Sequence, residues 1–70
     1  MTVKKTETDK VGSITRDWFY INGYDHRTGV NLEGEYAVTS ENKILDCDGA
    51  PLTECDYETI AVRNAIEKGF

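Results

Sequence analysis

The sequence predicts an α+β domain with an antiparallel three-stranded β-sheet and one C-terminal α-helix packed on one face. Residues 14–24 and 30–39 have the β-branched and aromatic content and the alternation that are typical of strands. A third apolar segment at residues 44–47 is stopped by an Asp-Gly-Ala-Pro turn, and the residues after Pro51 have the capping pattern of a helix. A chain of 70 residues is enough for one small domain with a thin core.

The first twelve residues are expected to form a flexible N-terminal tail, or at most a weak edge strand, so that the folded domain spans residues 13–70. They are mostly Thr, Lys and Glu, and the apolar Val3 and Val11 are isolated. No apolar h-region follows the first lysines, and no apolar segment approaches the ~20 residues of a membrane span. We therefore expect a cytoplasmic location.

The first two strands are joined by a turn for which the sequence offers two positions. Asn22-Gly23 favours a two-residue type I′ hairpin. In the alternative, the strand continues to Tyr24 and turns at residues 25–29. We favour the alternative, because clean alternation resumes only at Val30.

The alternation of the second strand predicts one buried and one solvated face. The residues expected to point inward are Val30, Leu32, Gly34, Tyr36 and Val38. Those expected to point outward are Asn31, Glu33, Glu35, Ala37 and Thr39. The sheet should therefore present carboxylates to solvent.

The C-terminal helix is expected to begin at Thr53, a good N-cap with Asp56 three residues later. At 100° per residue its apolar side chains form two stripes. These are Tyr57, Ile60, Ala61 and Ala65 on one side, and Cys55, Val62 and Ile66 near the opposite side. A helix that packs only on a sheet usually has one stripe, so the second predicts a further interface, unless the N-terminal strand or Phe70 covers it.

The charge of the chain is unevenly distributed, with a net charge of −5. Residues 1–32 carry five Lys or Arg and four acids, whereas residues 33–70 carry three Lys or Arg and nine acids. An acidic surface of this size repels nucleic acid and attracts basic protein surfaces. The acids of residues 54–58 also suit the start of a helix, so partner binding and helix capping are both open explanations for them.

Residues 44–49 resemble the first motif of the haloacid-dehalogenase-type phosphatases, an apolar strand followed by Asp-x-Asp-Gly. In that family the first acid, here Asp46, is the phosphoryl nucleophile and the second, here Asp48, is the general acid. The chain departs from the motif at Ala50 and Pro51. Only 22 residues follow Asp48, too few for the doubly wound sheet that completes the family's site. We therefore expect no enzymatic activity.

Two cysteines and one histidine are the remaining candidates for chemistry. Cys47 and Cys55 are eight residues apart and lack the close paired spacing of structural zinc sites, and His26 is distant in sequence. We expect both cysteines to be free thiols that act as small buried hydrophobic residues, and His26 to lie in a polar surface turn. The acids of residues 46–54 do not have EF-hand spacing. No metal and no cofactor are predicted.

Together these observations predict a non-enzymatic protein-binding domain whose acidic, partly aromatic surface occupies a basic site on a larger protein. Its most specific form is an inhibitor that presents carboxylates where nucleic-acid phosphates would bind. A tiny acidic domain without catalytic residues resembles, as a class, the phage-encoded proteins that neutralise host nucleases, including anti-CRISPR and anti-restriction proteins. No motif carries this resemblance.

The candidate partner-binding residues are Glu33, Glu35, Asp46, Asp48, Glu54, Asp56, Glu58, Val62 and Ile66. The expected partner is a protein with a basic surface, without direct contact to nucleic acid or membrane. The alternative function is a homodimeric structural or accessory protein that uses the second apolar stripe of the helix as its interface.

Overall fold

The computed structural model describes residues 1–68. Four strands, β1 (Thr2–Val11), β2 (Ile14–Asp25), β3 (Val30–Thr39) and β4 (Ile44–Leu45), form one antiparallel sheet in the order β1-β2-β3-β4. One helix, α1 (Tyr57–Lys68), packs on one face of the sheet. The α+β class with an antiparallel sheet and one C-terminal helix is confirmed, but the predicted strand number of three is wrong.

The additional strand is β1, which takes the place of the expected tail. It pairs with β2 from Thr2 opposite Asn22 to Val11 opposite Ile14, so the edge-strand alternative is the one that the structure adopts. The register shifts between Lys5 and Glu7, a bulge that leaves one extra residue in β1. Within residues 1–68, Val3 is the β1 residue that packs against the core, and it is partly buried. The rest of the strand therefore needs little apolar character.

The β2–β3 hairpin turns at the later of the two predicted positions, as favoured from the sequence. β2 runs to Asp25, and Gly29 closes the turn with φ of +76° and an N–H that donates to the Asp25 carbonyl at 2.8 Å. Asn22-Gly23 lies inside β2 instead. A Cβ at Gly23 would come within 2.7 Å of the Met1 Cα, so this position has no room for a side chain.

The sheet has an inner face, covered by α1, and an outer face without a helix. The core on the inner face consists of Ile21, Leu32, Tyr36, Ile44, Ala61, Val62 and Ala65. Most of the predicted alternation of β3 is confirmed, with Leu32 buried and Glu33 exposed. Ala37 is the exception: it was expected in solvent but is fully buried. It lies on the outer face between Trp18 of β2 and Leu45 of β4, whose larger side chains flank it.

The helix begins later than predicted, at Tyr57. The Thr53 carbonyl accepts hydrogen bonds from the Asp56 N–H at 3.1 Å and from Thr59 Oγ1 at 2.6 Å. Thr53 therefore belongs to a turn ahead of α1, and its assignment as the N-cap is wrong. The Asp56 carbonyl accepts the Ile60 N–H at 3.1 Å, the first bond of the helix. The described helix is too short and too polar to cross a membrane.

Candidate functional site

Glu33 and Glu35 lie on the outer face of β3, where the alternation predicts them. Both are exposed, and the β2 residues opposite them on this face are Asn22 and Tyr20. Glu35 accepts a hydrogen bond at 3.2 Å from Thr6 Oγ1 on β1. Neither carboxylate takes part in an ion pair among residues 1–68. Both are therefore accessible to a ligand on the outer face.

The acidic loop after β4 is organised by the Asp46 carboxylate. Its Oδ1 accepts hydrogen bonds from the N–H groups of Asp48 and Ala50, both at 2.9 Å. The Asp46 side chain thus holds the backbone of its own turn. Asp48 is exposed. It is therefore Asp48, rather than Asp46, that is available to a partner from this loop.

Two of the three acids near the start of α1 are engaged within the domain. Glu54 forms an ion pair with Arg63 at 2.8 Å. Glu58 accepts a 2.7 Å hydrogen bond from the Tyr36 hydroxyl. Burial of the phenol, together with this carboxylate, raises the pKa of Tyr36 well above its ordinary value, so the phenol remains a donor. Asp56 is exposed and stays a candidate for partner contact.

The two apolar stripes predicted for α1 are two sides of one buried arc. Val62 is 0% exposed and Ile66 is half-buried, and both pack on the same core as Ala61 and Ala65. At 100° per residue these four positions span about 140° of the helix. Val62 is therefore removed from the candidate partner-binding residues, whereas Cys55 of the same predicted stripe is exposed and Ile66 stays partly accessible. The homodimer alternative remains a prediction. The large apolar side chains exposed on α1 are Tyr57 and Ile60.

A half-buried aromatic cluster lies beside the acids on the outer face. Trp18 and Tyr20 project from β2, and Tyr20 is directly opposite Glu35. The Arg16 guanidinium carbon lies 5.3 Å from the centroid of the Trp18 ring, within cation–π range. Arg16 also donates two hydrogen bonds of 2.7 and 2.8 Å to Asp9, and this contact holds the pKa of Asp9 below its ordinary value. Sequence reasoning missed this arrangement because it depends on the strand register.

A groove of 310 Å³ lies at the other end of the sheet, between the β2–β3 turn and the end of α1. Asp25, His26, Arg27 and Lys68 contribute to its lining. Asp25 is buried and accepts a 2.7 Å hydrogen bond from Thr28 Oγ1. This bond holds the pKa of the Asp25 carboxyl below its ordinary value, although burial opposes the shift. The cationic side chains at this groove make it a poor match for a basic partner.

The thiols and the histidine are not assembled into a site. Cys47 and Cys55 are free thiols as predicted, but both are exposed rather than buried, because both lie in turns outside β4 and α1. His26 lies in the exposed hairpin turn, and its ring packs edge-on against Tyr24 with centroids 4.9 Å apart. Within residues 1–68 no three His, Cys, Asp or Glu side chains are grouped so that they could hold a metal ion.

Comparison of the chain with protein-family models, with curated proteins and with solved structures gives no match in any of the three. No residue role is transferred from a relative. Of the seven acids predicted to bind a partner, four are exposed and outside the ion pairs of residues 1–68, namely Glu33, Glu35, Asp48 and Asp56.

Proposed function

We propose that this protein is a non-enzymatic protein-binding domain, and specifically an inhibitor whose carboxylates occupy a basic, nucleic-acid-binding site on a larger protein. The observation that carries the proposal is a set of carboxylates that are exposed and outside the ion pairs of the domain. Among the predicted partner-binding residues they belong to Glu33, Glu35, Asp48 and Asp56, while Glu7, Glu41 and Glu67 meet the same two criteria elsewhere on the surface. The three ion pairs within residues 1–68 engage other acids, which are Asp9, Asp17 and Glu54.

The outer face offers a spacing and a chemistry that suit this role. Glu33 and Glu35 are two residues apart on one strand, so their Cα atoms are separated by about 7 Å. Two carboxylates at this spacing can pair with two neighbouring basic side chains of a partner. The neighbouring Trp18 and Tyr20 supply aromatic surface of the kind that is enriched at protein–protein interfaces.

The inhibition needs no chemistry beyond electrostatic competition. A domain with a net charge of −5 is drawn toward a basic cleft, and its carboxylates then pair with the Lys and Arg side chains that would bind phosphates. In size and charge the chain resembles, as a class, the phage-encoded anti-CRISPR and anti-restriction proteins, and we propose that it acts in the same manner.

The proposal is tested by capturing proteins from a host lysate on the immobilised domain and measuring whether the captured protein still binds nucleic acid. The test variant combines Glu33→Lys with Glu35→Lys. The control combines Glu41→Lys with Glu67→Lys, which changes the net charge equally at two exposed positions elsewhere. We expect the wild type and the control to block nucleic-acid binding by the captured protein, and the test variant to associate about tenfold more slowly.

Salt provides the second measurement. Raising its concentration from ~50 to ~500 mM should weaken the wild-type complex, because it shortens the Debye length to about 4 Å. A salt-independent affinity, or a captured protein that binds nucleic acid normally while it holds the domain, would contradict the proposal.

A further inference from the structure

One edge of the sheet is only partly covered. β4 has two residues and pairs with β3 at Ala37 and Val38 alone, whereas β2 pairs with every residue of β3. Within residues 1–68, no strand and no further backbone hydrogen bond covers the far side of β3 at residues 30–35. We call this stretch the open edge. Uncovered strand edges of this kind accept additional strands.

The backbone groups that point out of the open edge can be assigned from the β3–β4 turn. The Thr39 N–H donates to the Lys43 carbonyl at 2.9 Å, on the β4 side of β3. In an antiparallel sheet the backbone groups of every second residue point to the same side. Asn31, Glu33 and Glu35 therefore each direct one N–H and one C=O out of the open edge, and all three residues are exposed.

The side chains along the open edge favour a basic occupant with a small or apolar residue in the middle. Glu33 and Glu35 lie on the outer face, so an added strand would place two of its own side chains beside these two residues. The Glu35 carboxylate, which accepts a hydrogen bond from Thr6 on β1, would turn from that bond toward the open edge to meet a basic side chain. Between Glu33 and Glu35 lies Gly34 on the inner face, where a Cβ would have no atom within 4 Å. The start of α1 is also near β3, because Glu58 is bonded to Tyr36.

The opposite edge of the sheet has different chemistry. β1 carries Lys4, Lys5 and Lys10 and is interrupted by its bulge, features that natural proteins use to prevent edge pairing. The open edge has no bulge, since β2 and β3 pair without a register shift. Two copies of the domain joined at their open edges would bring carboxylates against carboxylates, which disfavours self-association there.

We propose that the open edge binds an extended basic segment of a partner protein as an added β-strand, with Lys or Arg at two positions separated by one small or apolar residue. The backbone of Asn31, Glu33 and Glu35 supplies the hydrogen bonds, and the two glutamates select the basic side chains. The inference takes the basic character of the partner from the proposed function and adds the way in which it is held.

The test uses a capped synthetic peptide of sequence Thr-Lys-Val-Lys-Val-Thr and a control peptide of the same sequence with N-methyl groups on alternate backbone nitrogens. The methyl groups are on the second, fourth and sixth residues, so the control keeps the charge but lacks the N–H groups that would face β3 in an antiparallel added strand with its lysines beside Glu33 and Glu35. Amide exchange in the full chain, followed by NMR, should slow at least tenfold at Asn31, Glu33 and Glu35 with the first peptide only. The Glu33→Lys, Glu35→Lys double variant should bind about tenfold more weakly than the Glu41→Lys, Glu67→Lys control.

Three results would overturn the inference: no binding of the first peptide, equal binding of the two peptides, or protection of amides elsewhere without protection at Glu33 and Glu35. None of these results alone affects the proposed function, which is tested by capture and nucleic-acid competition. Capture with competition, but without protection of the open edge, would leave the inhibitor proposal standing and reject strand addition.

Discussion

Replacement of Val62 by glutamate should unfold the domain at neutral pH, whereas the same replacement of Ile60 should be tolerated. Val62 is 0% exposed and Ile60 is 37% exposed, and the two residues are two positions apart on α1. Both substitutions exchange a β-branched apolar residue for glutamate, so they change net charge equally and helix propensity similarly. The difference between the two variants therefore isolates the burial of position 62.

The size of the effect follows from two contributions. Removing the buried valine side chain forfeits about 1.5 kcal/mol of transfer free energy. A carboxyl group in its place has to be neutral, and protonating a group of pKa about 4.3 at pH 7 costs about 3.7 kcal/mol. The sum of about 5 kcal/mol is comparable to the whole unfolding free energy of a domain of this size, about 4–10 kcal/mol. At Ile60 the carboxylate can reach water, and the cost should be below ~1 kcal/mol.

Urea denaturation at pH 7 and pH 4.5, followed by Trp18 fluorescence and helical circular dichroism, measures both contributions. A buried glutamate has a raised pKa, so its penalty is absent below pH ~4.3 and grows as the pH rises. Relative to the Ile60→Glu variant, the Val62→Glu variant should recover about 3 kcal/mol at pH 4.5. Equal midpoints for the two variants at pH 7 would refute the assignment of Val62 to the sheet-facing side. A difference that does not change with pH would refute carboxyl burial as its cause.

Three further predictions concern individual side chains. Tyr36→Phe should lower the unfolding free energy by about 1–2 kcal/mol in urea denaturation, because the Glu58 carboxylate loses its donor at 2.7 Å; unchanged stability would contradict a contribution from this bond. Replacing Cys47 and Cys55 together by serine should change the unfolding free energy by less than ~0.5 kcal/mol, since both are exposed. For the same reason both thiols should react rapidly with a thiol reagent in the native protein, and protected thiols would contradict this. The pKa of Asp25 is held below its ordinary value of 3.8. Its carboxylate therefore stabilises the fold fully above pH 3.8. This stabilisation is lost as the pH falls from 3.8 toward the pKa of Asp25 in the folded state. The difference in thermal stability between wild type and Asp25→Asn should therefore shrink below pH 3.8, and a constant difference would refute the assignment.

The parts of the fold that the sequence predicted are those with a strong periodic pattern. The alternation at residues 30–39 gives β3 its bounds and places Glu33 and Glu35 on the outer face. β1 has no such pattern, because an edge strand that buries little beyond Val3 gains most of its stability from backbone pairing with β2. Backbone pairing does not require a particular order of side chains, so the sequence predicts a tail where the structure has a strand.

The errors at the helix have a tertiary cause. Thr53 matches the local pattern of an N-cap, but the N–H of the preceding Leu52 donates to the Ile44 carbonyl at 2.9 Å. This bond keeps the chain beside β4, and the helix begins only at Tyr57. The rotation of the helix about its axis is likewise set by packing. Ala61 is small and lies where α1 contacts the sheet, so the larger Val62 is buried beside it. The spacing of the apolar residues alone did not predict this rotation of the helix.

The open edge of β3 follows from the way the chain leaves β4. After Leu45 the Asp46 carboxylate accepts the N–H groups of two residues of the loop, so the chain turns at once. It returns on the far side of β4, where Pro51 pairs with Leu45 and Leu52 donates to Ile44. A returning segment in that position cannot extend along β3, because β4 lies between them. The acids of this chain thus divide by role: Asp46 shapes the loop that leaves the edge uncovered, and the glutamates of β3 give that edge the charge by which we expect a basic strand to be selected.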